Sequence, residues 1–177
     1  MANDKFKALV HHVVSSCDDP TRLGAIRLNK ILWFADSISY RLHGVPITGE
    51  SYVKRQYGPV PKTILATLDQ LQAEGKIVVA EKENAIGHNT RLFVSLEKPN
   101  DDVFSPQELG VIEVVVKDIC TNHTANSISD LTHDQVWEAA NMGEEIPLYA
   151  TLARSAGEIT EDAMNWADKV VDAAAPH

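Results

Sequence analysis

The chain has 177 residues, 44% hydrophobic and 23% charged, a length that supports one well-buried core and a composition ordinary for a globular protein. Its net charge is −9, from 16 Lys and Arg against 25 Asp and Glu, which argues against a protein whose task is to neutralise phosphates. No apolar run approaches the roughly 18 to 20 residues of a bilayer crossing, and the start, MANDKFKALVHH, lacks the apolar stretch of a secretory signal. A cytoplasmic protein without a membrane partner is therefore expected.

Phe6, Leu9, Val10, Val13, Val14 and Cys17 recur at helical spacing, so residues 4 to 17 form an amphipathic helix with Asn3 as N-cap and Asp18-Asp19-Pro20 as its stop. A second helix runs from about Gly24 to His43, ended by Gly44. It carries two apolar stripes. Leu28, Ile31, Leu32, Ala35, Ser39 and Leu42 lie on one side, and Ile26, Trp33 and Tyr40 lie nearly opposite, with Arg27, Lys30, Ser37 and Arg41 between them. Such a helix is either central in its domain or has one face awaiting a partner, so Trp33 is core or interface.

Thr48-Gly49 signals a turn before the extended-looking Ser51-Tyr52-Val53-Lys54. In KRQYGPVPK, residues 54 to 62, Val60 is pushed away from helical geometry by the proline after it, and Pro61 suits the first position of a helix over 61 to 74. Ile64, Leu65, Leu68 and Leu71 give that helix its buried face. KIVVAE (76 to 81) and RLFVSL (91 to 96) read as strands joined by a polar loop, a winged-helix-like segment. Ser105-Pro106-Gln107-Glu108 starts the next helix, which is apolar almost all round and is expected to be the central one. A shorter helical region covers 127 to 141, and a final helix 160 to 173. The expectation is a mainly α protein, one domain over 1 to 177, with a small β-hairpin at about 76 to 96.

No catalytic constellation emerges. His11 and His12 point about 100° apart on a helix and cannot chelate one ion together. No metal-binding spacing, nucleophile elbow or phosphate-cradling glycine loop is present. Cys17 and Cys120 read as isolated, reduced core residues. No enzyme activity, metal or cofactor is expected. DNA binding through the 61 to 96 segment is the alternative, but that helix would offer one lysine, Lys62, against Asp69 and Glu74. Nucleic acid is not the expected partner.

LNKILWFADSISYRLHGVPITGE, followed by YVKRQYGPVPKTI, resembles the Panacea domain, also called SocA-like. The likeness continues more loosely through Leu131-Thr132-His133, Trp137 and Gly143-Glu144-Glu145-Ile146; Trp33 stands where a tyrosine is commoner and Thr132 where serine is. The resemblance implies an antitoxin that neutralises a toxin encoded beside it, or an adaptor that hands the toxin to the ClpXP protease. Neither role needs a catalytic residue. It makes Tyr57-Gly58-Pro59-Val60 the hallmark motif, with Pro61, His133 and Trp137 as further motif positions. Rigidity there either aims the following helix or pre-organises Arg55 and Tyr57 as contacts, the residue types most often found at interface hot spots. With Trp33, Tyr40, Lys30 and Lys54, they make a candidate aromatic and basic surface for an acidic protein partner.

Overall fold

The computed structural model describes residues 3–17, 19–83 and 89–155. Helix α1 (Asp4–Ser16) is capped by Asn3, whose side chain accepts from the Lys5 and Phe6 amides. Helix α2 (Pro20–His43) starts four residues earlier than the sequence suggests, because Asp19 caps it and Pro20 opens it. Gly24 interrupts it with a non-helical φ of 58°, so the regular helix begins just beyond. Gly44, left-handed at φ 75°, closes it by donating to Tyr40 O at 2.8 Å.

Two antiparallel hairpins follow, where one was expected. The first pairs β1 (Tyr52–Arg55) with β2 (Gly58–Pro61); the second pairs β3 (Ile77–Glu83) with β4 (Asn89–Ser95). Between them lies α3 (Ile64–Ala73). Pro61 is thus the last residue of a strand and not the first of a helix. The helix starts three residues on, where buried Glu50 accepts from the Thr63 amide at 3.2 Å and hydroxyl at 2.9 Å. The buried face of α3 holds Ile64, Leu68 and Leu71 as expected, joined by Thr67, while Leu65 departs from the expectation at 61% exposed.

Helix α4 (Pro106–Asn122) opens on the expected capping box, with Ser105 N donating to Glu108 Oε2 at 2.8 Å. It is not the central helix; Val114 on it is 68% exposed. The expected helix over 127 to 141 is split into α5 (Ala125–Asp130) and α6 (Gln135–Ala139), each with its own capping side chain, Thr124 and Asp134. A 3-10 helix, Leu148–Ser155, ends the described part. The expected helix 160 to 173 lies outside the described residues.

The central element is α2, packed by α1, α4, α5, the 3-10 helix, β2 and β4. Its two apolar stripes are both covered: Leu28, Ile31, Leu32 and Trp33 are all buried. Covering both sides takes most of the double stripe out of water, with Leu42 at its end left exposed and Ile26 and Tyr40 half-buried, and that burial is a source of hydrophobic stabilisation. The architecture is mainly α with small hairpins. His11 and His12 are buried and bind separate partners, Ser95 at 3.1 Å and Asp101 at 2.6 Å. Cys17 and Cys120 are not isolated; their sulfurs lie 3.3 Å apart where α1 meets α4.

Candidate functional site

The β1–β2 hairpin is built from the proline motif. Lys62 N donates to Ser51 O at 2.8 Å, so by alternation the amides of Gly58 and Val60 face β1. Pro59 and Pro61 then fall on the outer edge, where the backbone would otherwise offer donors. The two prolines strip that edge of N–H groups and close it to an added strand. On its other side β1 takes the 143–146 segment, through Lys54 N to Glu144 O at 2.8 Å and Ile146 N to Tyr52 O at 2.7 Å. The strand is held from both edges.

Below the hairpin, Tyr52 and Lys54, two residues apart and so on one face of β1, make two sets of contacts. Tyr52 is buried with its hydroxyl 2.8 Å from both Leu32 O and Asp36 Oδ2, and Trp33 meets its ring edge-on at 5.0 Å. Asp36 also accepts from the Thr48 amide at 2.7 Å and the Thr48 hydroxyl. Burial raises its carboxyl above the usual range, and these hydrogen bonds oppose the rise. Lys54 places Nζ 3.9 Å from the centre of the Trp137 ring and donates to Ala140 O at 3.0 Å, capping the end of α6. His133 stacks against Trp137, centroids 4.0 Å apart and planes 21° from parallel.

The turn Gln56-Tyr57 is pinned from beneath. Trp137 Nε1 donates to Arg55 O at 3.2 Å, and Ser129 Oγ donates to Tyr57 O at 3.3 Å. Gly58 is required twice over: its φ is 105°, and a Cβ there would collide with Lys30 Nζ and Thr132 Oγ1. Thr132 Oγ1 itself donates to Ser129 O at 2.8 Å. Lys30 is 1% exposed, and burial alone pulls its ammonium down to about 7. His133 Nε2, Asn29 Oδ1 and Arg27 Nε are buried without a hydrogen-bond partner among the described residues.

The expected aromatic and basic surface is therefore divided. Trp33, 5% exposed, is core, and Lys30 lies under the hairpin; neither presents a surface, because α2 is covered on both sides. Tyr40 is half-buried, and Lys54 is buried in its contact with Trp137. Arg55 and Tyr57 stand out at the tip, Tyr57 52% exposed. The motif positions Gly58, Pro59, Pro61, His133 and Trp137 converge on the hairpin and its underside. Sequence reasoning missed Asp36 and Ser129. A carboxylate inside the apolar stripe of α2 was the available signal for the first; nothing marked the second.

The fold and this site define a mainly α protein whose stiff, proline-edged hairpin is supported by a buried polar cluster. A match to the antitoxin SocA-like, Panacea domain family spans residues 28–138, and the chain belongs to that family. The comparison with curated proteins and that with solved structures each gave no match.

Proposed function

We propose that the protein neutralises a toxin, encoded by the adjacent gene, by binding it directly and without catalysis, the hairpin tip making part of the contact. The observation that carries this reading is the contrast at the tip. The carbonyls of Arg55 and Tyr57 are pinned by Trp137 and Ser129, while both side chains project outward. A pre-ordered backbone loses little entropy on binding, and Tyr and Arg are the side chains that most often anchor interfaces. Membership of the antitoxin family supports the partner's class. A DNA-binding role finds less support, since the exposed face of α3 offers Leu65, Ala66, Asp69, Gln70 and Glu74.

Co-expression with the adjacent open reading frame tests the reading. The neighbour alone should arrest growth, and this protein should relieve the arrest. Arg55→Glu should leave the melting temperature unchanged and weaken neutralisation. Relief that persists in cells lacking ClpXP supports binding alone; relief that disappears there, with a longer-lived toxin, supports delivery to the protease. A harmless neighbour, or a folded Arg55→Glu variant with wild-type potency, overturns the proposed mode.

A further inference from the structure

Beside the hairpin, a groove of about 330 Å³ opens between α2, β2, α3 and β4. Its floor is apolar, with Leu28, Leu68 and Phe93, and Leu65 forms an exposed ridge along it. Arg55, Lys62 and Arg91 stand on its rim, and no carboxylate lines it among the described residues. Two other cavities differ: the one at the two cysteines mixes Asp19 and Glu113 with Arg22 and Lys117, and the one beside α1 mixes Asp4 and Glu97 with lysines. Arg55 and Lys62 are in no ion pair among the described residues, and Arg91 has only a 3.9 Å approach from exposed Glu81. An all-cationic rim around an apolar floor is out of character for a chain of net charge −9.

We infer that this groove takes an acidic amphipathic helix of the protein partner, its aliphatic side chains on the floor and its carboxylates at the three rim cations. The inference rests on the antitoxin reading and adds to it the chemistry of the docked segment. At the β2 edge beside the groove, added-strand binding is closed off by Pro59 and Pro61, so recognition there runs through side chains, the mode of a helix laid in a groove. The volume sits at the small end of ligand pockets, about 300 to 1,000 Å³, enough for a few aliphatic side chains. A nucleic acid would use more than three cations and would gain nothing from the leucine ridge. Charge complementarity at the rim steers encounter and fixes register, while the floor supplies affinity.

The probe is the purified product of the adjacent gene, with its overlapping synthetic peptides, titrated against the full chain. Leu65→Asp and Lys62→Glu are exposed substitutions, and Val114→Asp, on the exposed side of α4 outside the groove, is the control. Each groove variant should lose about 30-fold or more in affinity, and the control should lose none. The binding peptides should be acidic and amphipathic, and wild-type binding should weaken as salt rises from about 50 to about 300 mM, less so in Lys62→Glu. Groove variants that bind the whole product like wild type overturn the inference and leave the antitoxin reading standing. Basic or purely polar binding peptides also overturn it, as does a wild-type dimer that Leu65→Asp dissociates, which would make a second copy the occupant. A product that neither binds nor is neutralised overturns the antitoxin reading itself, and the inference with it.

Discussion

Replacing Lys30 with methionine should make the protein more stable, by an amount that depends on pH in a defined way. The side chain is 1% exposed, and burial pulls its ammonium from 10.5 down to about 7. Every tenfold loss of proton affinity on folding corresponds to about 1.4 kcal/mol, so the charged form costs the fold about 5 kcal/mol at acid pH and about 4 kcal/mol at neutrality, both upper values. Below about pH 7 the lysine is charged in both states, and the folded state bears the whole cost. Between about pH 7 and about pH 10.5 the unfolded chain binds the proton and the folded one releases it, so stability rises by up to about 1.4 kcal/mol per pH unit. Above that window both states are neutral and the cost is gone. Methionine keeps the unbranched, adaptable shape and carries no charge. Urea unfolding of the two proteins at about pH 6, 8 and 10 should therefore show a gap of several kcal/mol that narrows steadily with pH. The difference between the proteins cancels every group they share, Tyr52 included. A Lys30→Met protein that is less stable than wild type at about pH 6, or a gap that does not change with pH, would show that the ammonium is compensated inside the fold and refute the argument.

Gly58→Ala should destabilise the protein by about 3 kcal/mol or more, from a strained positive φ and from crowding against Lys30 and Thr132; a variant within about 0.5 kcal/mol of wild type would place the hairpin higher above α2 than described. Cys17 and Cys120 are the chain's two cysteines, their sulfurs 3.3 Å apart. The hydrogen bond from Cys120 holds the Cys17 thiol down at about 7. An azo oxidant such as diamide should take up two electrons and two protons and leave one intramolecular disulfide, faster as pH rises through neutrality. Thiol titration of the unfolded, oxidised protein should find none free; two free thiols, or a disulfide-linked dimer, would contradict the geometry.

The helices of this protein are legible wherever a cap or an apolar period is local. Asn3, Ser105 and Gly44 each mark a boundary within a few residues of themselves, and the β-branched apolar run from Ile77 needs no distant information. Where sequence and structure part, tertiary partners decide. Pro61 satisfies the rules for a helix start, yet Ser51 and Glu50, ten and eleven residues earlier, make it a strand end and move the start to Ile64. Helix α4 is rich in valine, which suggests a central position; α2, with polar residues throughout, takes that place because hairpins and helices cover both its sides. The cysteine pair is invisible in the sequence for the same reason, since 103 residues separate its members.

The candidate site shows the same division more sharply. The motif residues that stand out in sequence are the ones with unusual backbone or aromatic chemistry, and those are the ones the fold turns inward. Trp33 meets Tyr52 of β1, Lys30 lies against Gly58, and Trp137 holds the turn backbone and Lys54. Each has a steric or hydrogen-bonding reason to be what it is, independent of any partner. A binding surface makes no such local demand on its own chain: among the described residues the side chains of Arg55 and Lys62 enter no ion pair, Arg91 has only the long approach to Glu81, Leu65 is exposed, and what links the four is that they line one groove. Proline at two alternate positions joins the two halves. On the inner edge it leaves the amides of Gly58 and Val60 to pair with β1, and on the outer edge it removes the donors through which an arbitrary strand could add itself. A partner is left with side chains to recognise, and side chains discriminate where an open backbone edge would not.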